Sequence, residues 1–361
     1  MHLSAKYAFD YYRTRVENTN GGDGISGESF PSQIKDDKMD RGEENFFESN
    51  AEFVLMGDRQ LTDNFRLGFT AGANFMYQKF ENLTAGVGNM HTKGLWMFNA
   101  SNLLRTAAYV ERERAMTSVF GSVQMSWKEY LSLDVTARND WSSTLPKAHN
   151  SFFYPSANLS FVISDFMKSI VKPLAAVVTF GKLRLSAAQV GKDTEPYQLI
   201  NTYGYKFDNG ILVPDKSNVK MNDNLKPEIA TSYEAGLDMK FFNNRLGFDF
   251  TYYYSKTKNQ IMKVPAAAPW SGGQWVNAGL ITNQGVELML YSTIVDTKDF
   301  TFDLNVNIAH NVSKVKELAP DANVNYLFFN GDSNFPVNIG ARAREKLGEI
   351  YAQQLYNRDD I

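Results

Sequence analysis

A strict period of two narrows the possible folds more than any other feature of this chain. Between Phe65 and Gln78 every odd position is apolar: Phe65, Leu67, Phe69, Ala71, Ala73, Phe75 and Tyr77. The even positions hold Arg66, Gly68, Thr70, Gly72, Asn74, Met76 and Gln78. Side chains two apart lie on the same face of a strand, so this segment has one greasy face and one mainly polar face. Leu131, Leu133, Val135 and Ala137 alternate in the same way with Ser132, Asp134, Thr136 and Arg138. The pattern returns in Leu246, Phe248, Phe250 and Tyr252, and again in Phe300, Phe302, Leu304, Val306 and Ile308.

Eleven strands follow from this alternation: roughly 5–16, 43–57, 64–80, 117–128, 130–140, 154–164, 181–190, 230–242, 246–258, 281–292 and 299–312. A twelfth is expected to start near Leu347. Strands of soluble proteins run to about five or six residues, whereas tilted membrane-crossing strands need about nine to eleven. Several of these reach ten or more, which favours the membrane. The connections alternate in size as well. Segments 17–42, 81–116, 191–229, 259–280 and 313–346 are long and polar, and 141–153 is a shorter member of the same set. Between them fall the short turns Gly57–Asn64, Lys128–Tyr130, Asn243–Arg245 and Thr293–Lys298. Outer-membrane barrels show this asymmetry, with tight turns on the periplasmic side and long loops outside. Segment 165–180 breaks the rule, being long and partly apolar where a short turn is due.

Phe and Tyr supply 44 of the 361 residues, and they gather near strand ends: Tyr77 and Phe80, Trp127 and Tyr130, Phe152 to Tyr154, Phe241 and Phe242, Tyr252 to Tyr254. Such rings can fill an ordinary β-core or form an interfacial girdle; with strands of this length, the girdle is the better reading. The longest aliphatic run, Leu174 to Val178, is far too short for a membrane-spanning helix. A net charge of −3 leaves no electrostatic footprint for nucleic acid. With no cysteine, disulfides and thiolate metal sites are excluded, and His2, His91, His149 and His310 lie far apart. The start at Met1 shows no basic region followed by an apolar stretch, so a secretory signal is not expected within this chain.

Three segments carry a more specific message: RNDWSSTLPKAHNSFFYPSANLSFVIS (Arg138 to Ser164), GKLRLSAAQVGKDT (Gly181 to Thr194), and LKPEIATSYEAGLDMKFFNNRLGFDFTYYYSKTKNQI (Leu225 to Ile261). The last is followed by NAGLITNQGVELML (Asn277 to Leu290). Together they resemble the signatures of SusC/RagA-type TonB-dependent outer-membrane transporters of Bacteroidota, in the right order and over most of residues 43–312. The resemblance implies an all-β fold, part of a large antiparallel transmembrane β-barrel, with about 12 strands of a 22-stranded wall closed by a plug. Residues 1–361 are then expected to be a partial barrel domain, with plug, TonB box and C-terminal strands not represented. The implied partners are outer-membrane lipid, a SusD-like lipoprotein, the TonB–ExbB–ExbD complex acting through the N-terminal part, and an oligosaccharide or peptide ligand. The implied function is nutrient import, most readily of glycan oligosaccharides. No cofactor, metal or catalytic residue is implied.

The matched motifs read as structural. Asn243 and Asn244 tolerate the left-handed backbone of a tight turn, Pro227 sits at the start of a strand, and Gly279 and Gly285 suit bends. Other motifs carry less. Glu111 to Arg114 is a solvated charge run, and Asp23 to Glu28 lacks the alternating oxygens of a calcium loop. Gly86-Val-Gly88 and Gly272-Gly273 do not join a strand to a helix, so no phosphate cradle is expected. One constellation supports a binding role. Trp270 and Trp275 flank Ser271-Gly272-Gly273 in one long loop; Tyr197, Tyr203, Tyr205 and Phe207 lie among Asp and Asn in another. Aromatic rings beside polar groups can stack on sugars or hold peptides, and the alternative is packing within the loops or against a lipoprotein lid. Trp270, Trp275, Tyr203 and Tyr205 are the expected ligand contacts. Three rival functions remain at this level: a surface barrel or adhesin that transports nothing, a soluble carbohydrate-binding module, and a barrel importing another ligand such as a siderophore.

Overall fold

The computed structural model describes residues 1–20, 38–90, 95–168, 177–208, 211–319, 324, 326–331 and 337–352. Its strands are β1 (His2–Asn20), β2 (Lys38–Thr62), β3 (Phe65–Met90), β4 (Ser101–Trp127), β5 (Leu131–Ser142), β6 (Ser151–Val162), β7 (Val178–Lys192), β8 (Tyr203–Asp208) and β9 (Ile211–Lys216). They continue as β10 (Val219–Lys220), β11 (Glu228–Phe241), β12 (Leu246–Val264), β13 (Gly273–Asp296), β14 (Thr301–Glu317), β15 (Tyr326–Gly331), β16 (Val337–Arg342) and β17 (Glu349–Ala352). All eleven strands expected from the alternation are present, in a twelve-stranded sheet of order β1-β2-β3-β4-β5-β6-β7-β11-β12-β13, with β14 and the two-residue β10 both on β13.

The described chain falls into two compact units, one of Met1–Ser4, Val54–Ala73 and Ser118–Ile361, the other of Ala5–Phe53 and Asn74–Thr117. In the larger unit the register converts alternation into rows. Leu131, Phe161, Leu183, Leu237, Phe250, Leu288 and Ile308 stand opposite one another across seven strands. The next row holds Ser132, Ser160, Arg184, Gly236, Thr251, Glu287 and Ala309, and projects from the other face. Much of the apolar face has no protein cover: Ile308 is 54% exposed and Phe250 39%. A sheet that presents greasy rows outward and buries only small local clusters suits hydrocarbon as its solvent. On the other face Arg184 donates to Asp249 at 2.6 Å.

In the smaller unit the ladders run on after the apolar alternation has ended. Lys79 sits 3.0 Å from Glu81 and 3.5 Å from Glu111, Arg15 lies 3.6 Å from Glu43, and Tyr109 donates to Glu81 at 3.0 Å. Opposite charges on neighbouring strands support a sheet where water meets it.

The tight turns use the backbone expected of them: Asn243 (φ 57°) and Asn244 (φ 68°) are left-handed, and so are Lys128 and Glu129. The long connections are shorter than expected, because strands grow into them. Segment 81–116 is strand as far as Met90 and again from Ser101, and 259–280 is strand to Val264 and again from Gly273. Segment 165–180 includes a short helix, α1 (Ile163–Lys168), whose Phe166 packs 5.7 Å from Tyr130 and 5.5 Å from Phe161, ring centre to ring centre. Phe166 thereby joins an aromatic cluster with Tyr130 and Phe161; residues 169–176, which hold most of the apolar stretch of this segment, lie outside the described residues. Near Leu347 the chain returns to the edge of β14, with an antiparallel bridge between Lys314 and Lys346 and a bond from Leu347 N to Ser313 O of 3.2 Å. Among the described residues it goes no further along that edge: Glu349–Ala352 pairs with β16 in a separate three-stranded sheet.

Candidate ligand site at the loop junction

The connection between β7 and β11 does not stand free of the sheet. It is pinned to the β12–β13 hairpin by a series of bonds that follow from its amide-rich sequence. Val219–Lys220 runs parallel to Gly273–Gln274, and Gly272 N donates to Asn218 O at 2.9 Å. Asn201 satisfies both sides of this short strand, donating to Val219 O (2.8 Å) and accepting from Met221 N (3.0 Å). Asn222 donates to Trp275 O at 3.1 Å. The segment then enters β11 under Asn277, whose side chain accepts from Lys226 N (2.7 Å) and donates to Lys226 O (2.6 Å) and Asn259 O (3.0 Å). Asn259 and Gly279, at facing positions of β12 and β13, both have positive φ. Gly279 fits the expected bend, since its φ of +82° would strain a residue carrying a Cβ. Gly285 has another role. Its backbone is unremarkable, but an added Cβ would lie 2.5 Å from Tyr253 Oη and 2.6 Å from His310 O, so the glycine is a floor for the Tyr253 ring.

A second polar cluster fixes the neighbouring loop. Ser142, the last residue of β5, and Thr144 both donate to Asp193 Oδ2, one residue past the end of β7, at 2.5 and 3.0 Å, and all three are buried. Within β5 and β6, Arg138 donates to Asp140 at 2.7 Å and Tyr154 to the other oxygen of the same carboxylate. His149 Nε2 lies 3.0 Å from Asn224 Oδ1, tying this loop to the junction. The three signature segments thus hold one another, and sequence reasoning had placed none of these contacts.

Between the pinned segments opens a cleft of about 430 Å³. Asn222, Asn224, Asn259 and Gln274 line it with side-chain amides, and Lys226 and Glu317 add one charge of each sign. Amides both donate and accept, so such a wall matches hydroxyl groups and peptide units equally. Trp270, Trp275 and Tyr203, expected as ligand contacts, are not among the residues that line it, and Trp275 lies on β13 between Gln274 and Val276, which do. Trp270, in the turn after β12, is half-buried, and the Lys216 ammonium stands over its ring 3.5 Å from the centre. Trp275 is half-buried on β13, opposite Lys263. Tyr203 is 66% exposed on β8, with Lys216 as its register partner on β9. Trp270 and Tyr203 are therefore linked through Lys216, which joins two loops that the sequence left separate. Tyr205 pairs with Pro214 along the backbone, while the side chains of Tyr205 and Phe207 lie outside the described residues. Tyr197 is 61% exposed with φ +65°. Among the described residues no group of His, Asp or Glu could hold a metal ion.

Long antiparallel strands with an uncovered apolar face and polar loops gathered at one junction define the wall of a transmembrane β-barrel. A family model described as TonB dependent receptor-like, beta-barrel matches residues 2–350, and the chain belongs to that family. It is accordingly an outer-membrane protein of a family of transport receptors rather than enzymes. TonB-dependent receptor P3 of Formosa agariphila is 28% identical over 300 residues, which are 78% of this chain and 29% of that protein. TonB-dependent receptor SusC of Bacteroides thetaiotaomicron is 28% identical over 244 residues, 64% of this chain and 24% of that one. The chain thus spans less than a third of the length of either relative. Among solved structures, the RagAB peptide transporter aligns with a TM-score of 0.79 at 18% identity, over 95% of this chain and 37% of its own. The outer membrane transporter YddB from Escherichia coli aligns at 0.56, with 10% identity, over 95% and 44%. These likenesses speak for the fold.

Proposed function

We propose that this chain forms part of the wall and outer loops of a TonB-driven importer of glycan oligosaccharides. A SusD-like lipoprotein covers the loops from outside, and TonB–ExbB–ExbD supplies energy through the receptor's plug. The observation that carries the reading is the junction itself, which holds an amide-lined cleft of about 430 Å³ and, outside the lining of that cleft, the half-buried Trp270 and Trp275 and the exposed Tyr203. Apolar ring faces with hydrogen-bonding neighbours are what a pyranose offers surfaces to. No bond need be made or broken, so binding and passage are the whole of the chemistry.

The test is growth of a strain deleted for this gene on a panel of purified glycans and of oligopeptides as sole carbon sources. Loss of growth on one glycan class, restored by the gene but not by a Trp270→Ala, Trp275→Ala double variant, is the expected result. Loss on peptides alone would transfer the same architecture to peptide import. Unchanged growth on every source, with loss of surface adhesion, would favour a barrel that transports nothing.

A further inference from the structure

The indole face of Trp270 is occupied. Lys216 holds its ammonium 3.5 Å above the ring centre, where a stacked sugar would have to lie. Further lysines lie on the strands of the same junction. Lys220 stands opposite Gln274 in the β10–β13 register, Lys263 opposite Trp275, and Lys226 lines the cleft that Gln274 also lines. Lys216, Lys220 and Lys263 are exposed. None of the four forms an ion pair with a carboxylate among the described residues. The carboxylates of the same junction are Asp215, Asp223, Glu228 and Glu317, as many as the lysines, and Glu228 accepts from Ile261 N.

Building on the glycan reading above, we propose that Trp270 and Lys216 form a capped subsite for a sugar ring bearing an anionic substituent, a uronic carboxylate or a sulfate ester. The ring displaces Lys216 from the indole and stacks in its place. The released ammonium then pairs with the anion. A neutral ring must also break the cation–π contact, yet it returns no charge to the lysine, so Lys216 discriminates by what each ligand gives back. The indole supplies affinity for either kind of ring and the lysine supplies the choice between them.

The experiment uses the intact receptor in detergent and calorimetric titration with four probes: tetragalacturonate, its fully methyl-esterified form, a sulfated neocarratetraose and its desulfated form. At least one charged probe should bind about tenfold or more tightly than its neutral counterpart, and which one does names the substituent. Lys216→Met, which keeps the stem and removes the charge, should abolish that preference while neutral binding is kept or improved. Trp270→Ala should weaken all four, with unchanged heat-modifiability on gels as the control for folding. Equal binding of charged and neutral probes, or a preference that survives Lys216→Met, overturns this inference alone. Failure of all four to bind the wild-type receptor overturns it together with the glycan reading.

Discussion

Asn277 brackets Lys226 with both ends of its side-chain amide, accepting from the lysine N–H at 2.7 Å and donating to its carbonyl at 2.6 Å, across 51 residues of sequence. A side chain here takes the place of a neighbouring strand exactly where Pro227 has no N–H to offer a ladder. Asn277→Ala should therefore destabilise the receptor by about 1–3 kcal/mol, since it leaves backbone groups unpaired. Urea unfolding in lipid vesicles measures this, and Asn277→Asp, which keeps only the acceptor, should fall between the two. No change for Asn277→Ala would mean that water replaces the amide without cost.

The Tyr253 ring lies across Gly285, and a Cβ there would meet the His310 carbonyl oxygen as well as the phenol. Backbone cannot step aside as a side-chain tip can. Gly285→Ala should cost about 1–3 kcal/mol by overpacking, and removing the ring as well, in a Tyr253→Ala double variant, should restore only part of it. Gly247 offers the contrast: its added Cβ would lie 2.2 Å from Cζ of the Tyr291 ring, a side chain alone. There the double variant Gly247→Ala, Tyr291→Ala should recover most of the loss due to the alanine at 247. The two double-mutant cycles separate a clash with backbone from one with a ring.

Leu288 and Glu287 are chain neighbours that leave opposite faces of β13. On the apolar face an arginine must enter hydrocarbon, at about 2–4 kcal/mol near the midplane of a barrel. Leu288→Arg should reduce folding into vesicles by that amount. Glu287→Arg, one residue away, should lose much less. Equal effects would refute the assignment of faces.

Ser142 and Thr144 both donate to Asp193, and the three are buried together. Asp193→Ala removes their common acceptor and should loosen residues 143–150, with a cost of about 1–3 kcal/mol. Protease added to whole cells should then cut within 143–150 at least several times faster than in the wild type. Asp193→Asn retains an acceptor oxygen and should be cut at an intermediate rate.

Much of the wall was legible in the sequence. Phe65 to Tyr77 and Phe300 to Ile308 display their faces directly, because alternation reports which side of a strand meets hydrocarbon and which meets water. The ends of the same strands were not legible. Beyond Tyr77, β3 continues through Lys79 and Glu81 to Met90, with polar side chains answered by Glu111 and Glu113 on β4. Beyond the apolar band charged side chains take over positions on the strands, so the period-two signal fades while the backbone ladder goes on. Segment 81–116 therefore read as loop although most of it is strand.

The aromatic candidates were legible as residue types but not as a site. Composition singled out Trp270 and Tyr203, yet nothing between them in sequence indicates that Lys216 couples one to the other. The same holds for Lys226 beneath Asn277 and for Asp193 beneath Ser142. Local order alone determined the strands, their faces and the tight turns at Asn243 and Lys128, since each depends on residues within a few positions of one another. The loop junction was decided by the register of β11, β12 and β13. That register brings residues some fifty positions apart within hydrogen-bond reach, and no short-range pattern encodes such a distance.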